Sequence, residues 1–243
     1  MGRSSKSQEA QEARERKLQR ELEEKRQQER QNQIIRRTLI AVLAAILLIT
    51  GVTIGVNSCK NAQAKKQSSK EYVSMTVTYT NKAGQFCEGT IVMQLYADIA
   101  PITVANFQKL VSEGFYDGLT FHRIMSGFMI QGGDPKGDGT GGTTPIKGEF
   151  LQNGVANSLS HKRGVVSMAR RGDSMNSGSC QFFIVHEDST FLDKQYAAFG
   201  EVISGMEIVD EIAETEVVYN GDEKSSPVHP VTIVKAELLD SYS

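Results

Sequence analysis

Residues 121–134 (FHRIMSGFMIQGGD) constrain the fold of this chain more than any other feature. The run places one cation, Arg123, two large apolar side chains, Phe128 and Met129, and one amide, Gln131, within nine residues. Arg123 is separated by an even number of residues from both Met129 and Gln131, and even spacing on extended backbone puts side chains on one face. A face with one guanidinium, one amide and apolar walls suits a neutral, kinked peptide. It does not suit a phosphate or a metal ion.

The hydrophobic pattern from residue 72 onward is that of a mainly β domain. Residues 73–79 alternate apolar and hydroxyl side chains, as a half-buried strand does. A helix is predicted from Pro101 to Gly114, because proline favours the first turn and glycine the end. Other strands are predicted at 91–96, 119–125, 128–131, 164–169, 181–185, 197–203 and 231–238, and a second amphipathic helix at 205–213. About eight strands with two helices are consistent with a closed antiparallel barrel capped at its ends.

The run at 121–134 resembles the core motif of the cyclophilins, which are peptidyl-prolyl cis-trans isomerases. Five further segments stand in the order found in that family: PITVANF (101–107), GVVSMA (164–169), GSCQFFI (178–184), FLD (191–193) and FGEV (199–202). The resemblance covers residues 74–239. It implies a closed eight-stranded antiparallel β-barrel capped by two α-helices, a topology that periodicity alone does not supply.

The resemblance also implies a reaction and a site. Rotation about an X–Pro bond meets a barrier of about 18–20 kcal/mol and changes no covalent bond, so no nucleophile, metal or cofactor is expected. The twisted prolyl nitrogen gains a usable lone pair, and a donor aimed at it stabilises that state selectively. Arg123 matches the family's catalytic donor. Substrate binding is assigned to Phe128, Met129, Phe183 and Leu192 (the proline pocket), Gln131 and Gln181 (amides for the substrate backbone), and Ala169, Arg170, Phe191 and Tyr196.

Several site positions depart from the best-known eukaryotic members of the family. Phe191 stands where many have Trp, and this chain has no Trp at all, which predicts weakened cyclosporin binding. Tyr196 replaces a common His, as in bacterial-type members, and can still close the proline pocket. Arg170 replaces an Asn, so its backbone is expected to bind substrate in place of the side chain. Cys180 replaces a Ser. Arg123 is retained, so activity with proline-containing polypeptides is expected.

The N-terminal part of the chain differs in character from the rest. Residues 1–37 carry eleven Lys/Arg and seven Glu, which predicts a charged, solvated cytoplasmic helix. Residues 38–56 are nineteen uncharged residues, enough to span a hydrocarbon core of ~30 Å as a transmembrane helix. Residues 57–71 read as a polar linker to the isomerase domain at 72–243.

The apolar segment at 38–56 predicts contact with membrane lipid and a single-pass protein of the cell membrane. Arg36 and Arg37 abut it, which favours a cytoplasmic N-terminus and an extracytoplasmic isomerase domain. A buried core helix is one alternative. A cleaved signal peptide is another, with Cys59 as the lipid-bearing residue of a lipoprotein.

Charge and cysteine content exclude other classes. Residues 57–243 carry sixteen Lys/Arg and twenty-two Asp/Glu, and this acidic balance argues against nucleic acid as a partner. Three cysteines make no disulfide framework. Cys87 and Cys180 are expected to be buried free thiols, with a bridge between them as the alternative. The four histidines lack the spacing of metal ligands, so no metal site is expected.

Two classes of function remain open from the sequence. The first is an active isomerase that assists the folding of exported proteins, because uncatalysed X–Pro isomerisation takes tens of seconds or longer. The second is a chaperone or scaffold module that binds proline-containing segments without turnover. The presence of Arg123 favours the first.

Overall fold

Ten strands and two α-helices make up residues 71–242 of the computed structural model, the part of the chain that the structure describes. The strands are β1 (Tyr72–Thr80), β2 (Phe86–Leu95), β3 (Phe121–Met125), β4 (Met129–Gly132), β5 (Val165–Met168), β6 (Phe182–Val185), β7 (Ala197–Ser204), β8 (Val217–Asn220), β9 (Glu223–Pro227) and β10 (Thr232–Leu239). The helices are α1 (Pro101–Ser112) and α2 (Met206–Ala213). Both helices and the strands predicted at these positions are confirmed to within a few residues.

Eight strands form one antiparallel sheet in the order β10-β1-β2-β7-β5-β6-β4-β3. Alternation decides which face of β1 is inside, since Val73, Met75, Val77 and Tyr79 are all buried and the residues between them are half exposed. The same alternation predicts the strand from the sequence. The inward faces of the sheet enclose the main hydrophobic core.

The expected closed barrel is wrong, because the sheet is open between β3 and β10. The two ends approach each other at an isolated bridge between Thr120 and Thr232. Backbone hydrogen bonds flank this bridge, from Phe121 N to Val231 O and from Ile233 N to Leu119 O. Beyond Phe121, strand β3 lies beside β9 instead of β10, so the ladder does not continue.

Strands β8 and β9 form a separate two-stranded hairpin that the sequence analysis did not predict. Its turn contains Gly221 with φ +63°, a left-handed conformation that glycine adopts without a steric penalty. The hairpin lies against the outer edge of β3. It thereby places residues near 223 beside the segment that carries Arg123.

Helix α1 is packed into the core through an aromatic cluster and capped by a distant carboxylate. The Phe107 ring lies 5.1–5.3 Å from the rings of Tyr116, Phe182 and Phe199. Ala100 supplies no side-chain cap. Instead the buried Glu149 accepts hydrogen bonds from the backbone N–H groups of Ile102 and Thr103. A carboxylate at this end also complements the helix dipole.

No helix within residues 71–242 is long and apolar enough to cross a membrane. The predicted charged helix at 1–37, the predicted transmembrane helix at 38–56 and Cys59 lie outside the described residues. Within them, Cys87 and Cys180 are both free. Cys180 is buried as expected, whereas Cys87 is partly exposed.

Candidate active site

Arg123 and Gln131 face each other across the β3–β4 hairpin. Arg123 pairs with Gln131 and Met125 with Met129, and directly opposed residues share a face of an antiparallel pair. The turn between the strands is made at Gly127, whose φ of +75° suits glycine. Arg123 Nη1 donates to Gln131 Oε1 over 3.3 Å. The shared face follows from this pairing, not from spacing along one straight strand.

A cavity of about 130 Å³ opens beside this pair. A space of this size takes several water molecules or one small ring. Nine residues line it: Arg123, Phe128, Met129, Gln131, Ala169, Arg170, Phe183, Leu192 and Tyr196. The structure thus brings together nine of the eleven residues predicted for the site.

The apolar wall of the cavity belongs to a second hydrophobic cluster, separate from the main core. Met129, Phe183 and Leu192 are its buried members next to the cavity. The Phe183 and Tyr196 rings meet edge to face, with centroids 6.0 Å apart and planes at 83°. The guanidinium carbon of Arg123 lies 6.0 Å from the Phe128 ring centroid. The wall is therefore apolar and aromatic, and the cations in the lining are Arg123 and Arg170.

Phe191 lies outside the lining of the cavity. Its side chain is 65% exposed, and its ring is tilted against Phe128 with centroids 5.5 Å apart. Phe191 is positioned to contact a ligand that extends beyond the cavity, but it does not shape the cavity itself.

Arg170 lines the cavity together with Tyr196. Its guanidinium carbon lies 4.7 Å from the Tyr196 ring centroid and 5.3 Å from that of Phe150. Its Nε donates to the Gln195 backbone carbonyl. These contacts fix the side chain against aromatic faces, where a cation is attracted by the ring quadrupole. The side chain of Arg170 is thus held by contacts within the protein, and binding of substrate by its backbone stays a prediction.

Gln181 links Gln131 to the glycine-rich loop at 137–142. Gln131 Nε2 donates to Gln181 Oε1 over 2.9 Å, and Gln181 Nε2 donates to the carbonyls of Gly139 and Gly141. Asp134 holds the same loop through the backbone N–H groups of Lys136 and Gly139. Gln181 borders this loop instead of lining the cavity. The loop lines a second, larger hollow that shares Gln131, Ala169 and Arg170 with the cavity, and the two together form a groove.

Comparison with known proteins identifies the family of the chain. The family model described as cyclophilin type peptidyl-prolyl cis-trans isomerase matches residues 48–238. The chain belongs to this family. This membership confirms the predicted enzyme class, a cyclophilin-type peptidyl-prolyl cis-trans isomerase.

Relatives of this cyclophilin-type chain occur in bacteria and eukaryotes. Peptidyl-prolyl cis-trans isomerase B of Bacillus subtilis is 46% identical over 129 residues, which cover 53% of this chain and 86% of that protein. The isomerase ppi1 of Schizosaccharomyces pombe is 39% identical over 152 residues, 62% of this chain and 94% of that protein. A cyclophilin-type isomerase of Cryptosporidium parvum, solved in the presence of the dipeptide Ala-Pro, superposes with a TM-score of 0.55 at 27% identity, covering 68% of this chain and 98% of that one.

A buried histidine supports the pocket of this cyclophilin-type chain from behind. The His161 ring stacks on Phe183 with centroids 6.0 Å apart. Its Nδ1 lies 2.8 Å from Asp193 Oδ1 and its Nε2 lies 3.0 Å from Ser167 Oγ. Burial lowers the pKa of His161, although the hydrogen bond with Asp193 opposes this shift. Since a carboxylate only accepts, the neutral ring donates from Nδ1 to Asp193 and accepts at Nε2.

Glu223 is the residue at this site that the sequence analysis missed. Arg123 donates from Nε to Glu223 Oε1 over 2.6 Å and from Nη2 to Oε2 over 2.7 Å. These hydrogen bonds lower the pKa of Glu223, so the carboxylate is ionised at neutral pH. The dipeptide Asn220-Gly221 is a hairpin signal in the sequence and could have revealed β8 and β9. It could not have revealed which cation Glu223 meets.

Proposed function

We propose that this chain catalyses rotation about X–Pro bonds of polypeptides in the groove of Arg123, and that Arg123 is the catalytic residue. The observation that carries the proposal is the guanidinium of Arg123 at the rim of a cavity sized for one small ring. The family of the chain supports the reaction, and the Cryptosporidium relative, which was solved in the presence of the dipeptide Ala-Pro, supports the ligand class.

The proline ring occupies the cavity formed by Phe128, Met129, Phe183, Leu192 and Tyr196. Apolar contacts hold the ring, while Gln131 and Gln181 offer amide groups to the substrate backbone. The residue before proline then turns relative to the fixed ring. In this arrangement the two halves of the rotating bond are gripped separately, and the enzyme stays complementary to the twisted state.

Arg123 lowers the barrier by hydrogen bonding to the prolyl nitrogen as it becomes pyramidal. That nitrogen accepts poorly in the planar amide and well in the twisted one, so the interaction is selective for the transition state. Nη1 is the group that serves this step, because Glu223 accepts from Nε and Nη2 and the Met125 sulfur lies 3.2 Å from Nη2. No proton is transferred, and no covalent bond forms or breaks.

The biological role that we propose is assistance to the folding of exported proteins. The apolar residues 38–56 would hold the enzyme in the membrane lipid, with residues 1–37 in the cytoplasm and the isomerase domain outside. Anchoring as a lipoprotein at Cys59 is the alternative. Tyr196 in place of His, together with 46% identity to the Bacillus subtilis relative, supports a bacterial type of cyclophilin.

Exchange between the cis and trans forms of a short Ala-Pro peptide tests the activity directly. We expect the purified full chain to accelerate exchange in NMR spectra at catalytic concentrations. Binding of the peptide without accelerated exchange would make the chain a binding module and would overturn the proposal. Protease accessibility of residues 72–243 in intact cells tests the topology, and protection of this segment until lysis would contradict an extracytoplasmic domain.

A further inference from the structure

The ion pair between Arg123 and Glu223 joins the catalytic strand to an element outside the main sheet. Glu223 is the first residue of β9, which pairs only with β8 in the part of the chain that the structure describes. A fork of two parallel hydrogen bonds fixes the guanidinium in its plane as well as in position. The orientation of Arg123 therefore depends on a hairpin that the eight-stranded sheet does not contain.

The fork leaves the Nη1 end of the guanidinium on the side of the cavity. A guanidinium has five N–H donors, and Glu223 takes the Nε proton and one Nη2 proton. Nη1 points the other way, toward Gln131 Oε1 at 3.3 Å and the Met129 sulfur at 3.9 Å. Both of these residues line the cavity. Glu223 thus holds Arg123 through Nε and Nη2, while Nη1 is directed at residues that line the cavity.

We propose that Glu223 is a positioning residue that orients the Arg123 guanidinium for catalysis, an inference that rests on the proposed function. A long arginine side chain loses rotamer freedom when it is held in one orientation, and the planar fork removes much of that freedom before substrate arrives. Preorganised donors stabilise a transition state better than donors that must reorganise at the moment of reaction.

The solvent exposure of the Arg123–Glu223 pair distinguishes a role in positioning from a role in folding stability. The Arg123 and Glu223 side chains are 31% and 38% exposed. Ion pairs exposed to this extent contribute little to folding, because water screens them. Removal of Glu223 should therefore change catalysis and leave the thermal transition within about 2 °C of the wild type.

The charge of Glu223 can also affect the rate of catalysis in the opposite direction. The negative charge of Glu223 offsets the positive charge of Arg123 and could weaken it as a donor. The fork geometry favours positioning, because the carboxylate binds Nε and Nη2 and not the Nη1 that faces the cavity. A variant without Glu223 discriminates the two effects by the sign of the change in rate.

The test compares Glu223→Ala and Glu223→Gln with wild type in the full chain, using NMR exchange on an Ala-Pro peptide. We expect kcat/KM to fall about tenfold in Glu223→Ala, less than the order of 100-fold that a 1 Å misplacement can cost, since Nη1 keeps its bond to Gln131. The loss should be in kcat, with KM nearly unchanged, because the apolar pocket is intact. Glu223→Gln keeps one acceptor and should lose about threefold. Asp222→Asn, an exposed neighbour that does not contact Arg123, is the matched control and should match wild type.

A double mutant shows whether Glu223 acts through Arg123. In an Arg123→Ala background, Glu223→Ala should cost nothing further, since there is no guanidinium left to orient. An unchanged or faster Glu223→Ala enzyme would overturn the proposal, and so would an equal loss in the Arg123→Ala background. Absence of turnover in the wild type would overturn the proposed function itself, an outcome distinct from these.

Discussion

Replacement of Glu149 by alanine should destabilise the domain strongly. Glu149 is 2% exposed and accepts three hydrogen bonds at the start of α1: Ile102 N at 3.1 Å, Thr103 N at 2.7 Å and Thr103 Oγ at 2.7 Å. Loss of a helix cap costs about 1 kcal/mol. A buried donor left unsatisfied costs about 1–3 kcal/mol, and Thr103 is fully buried. If water satisfies Ile102 N, the total loss in the free energy of unfolding is about 3 kcal/mol.

This loss can be measured by calorimetry. For a domain of this size 1 kcal/mol corresponds to roughly 2–4 °C, so the transition temperature should fall by about 6–12 °C. Glu149→Gln keeps one carbonyl acceptor and should lose about half as much. Glu113→Ala is the control, because Glu113 sits at the exposed C-terminal end of the same helix, and its pair with Lys109 is solvent-exposed. A fall of less than 2 °C in Glu149→Ala would refute the assignment of Glu149 as the cap.

Three further predictions concern backbone, pH and ligand. Gly133→Ala should lower the free energy of unfolding in urea by about 2 kcal/mol or more, because φ is +82° and the new Cβ would lie 2.7 Å from the Cys180 carbonyl oxygen. Gly172→Ala, with open space around it, should be nearly neutral in the same measurement. Burial lowers the pKa of His161 below its unfolded value of about 6.5, so its contribution to the free energy of unfolding is complete above that pH and is lost as the pH falls. Between pH 7.5 and 5.5 the melting temperature of His161→Gln should therefore fall less than that of the wild type. An equal fall in the two proteins would contradict the reasoning. Phe191→Trp should tighten cyclosporin binding about tenfold, measured by calorimetric titration, because an indole adds area and a donor; unchanged affinity would show that Phe191 does not limit binding.

The sequence predicted the elements whose evidence is local. Alternation in 73–79 was enough for β1, and Pro101 with Gly114 was enough for α1, because each pattern is contained in a few consecutive residues. The residues of the proline pocket were predicted through the family resemblance, and all of them line one cavity. Periodicity alone would not have separated Phe128, Met129 and Phe183 from ordinary core residues.

The sequence could not predict contacts between segments far apart in the chain. Glu149 caps a helix that begins 48 positions earlier, and Glu223 binds an arginine 100 positions away. Neither carboxylate is marked by its neighbours in sequence. The open sheet also depends on distant segments. The β8–β9 hairpin lies beside β3, where β10 would have to pair to close the barrel. Phe191 matched a family motif, but its exposed position outside the cavity appears only in the structure.

The most direct test of the account is the rate of X–Pro exchange in Arg123→Ala compared with the wild type, with peptide affinity measured in parallel. Removal of a preorganised donor to a developing lone pair should lower kcat by about 100- to 1,000-fold. The affinity for the peptide should change little, because the apolar pocket remains. A variant that keeps its rate, or one that loses affinity and rate in equal proportion, would contradict the assignment of Arg123 as the catalytic residue.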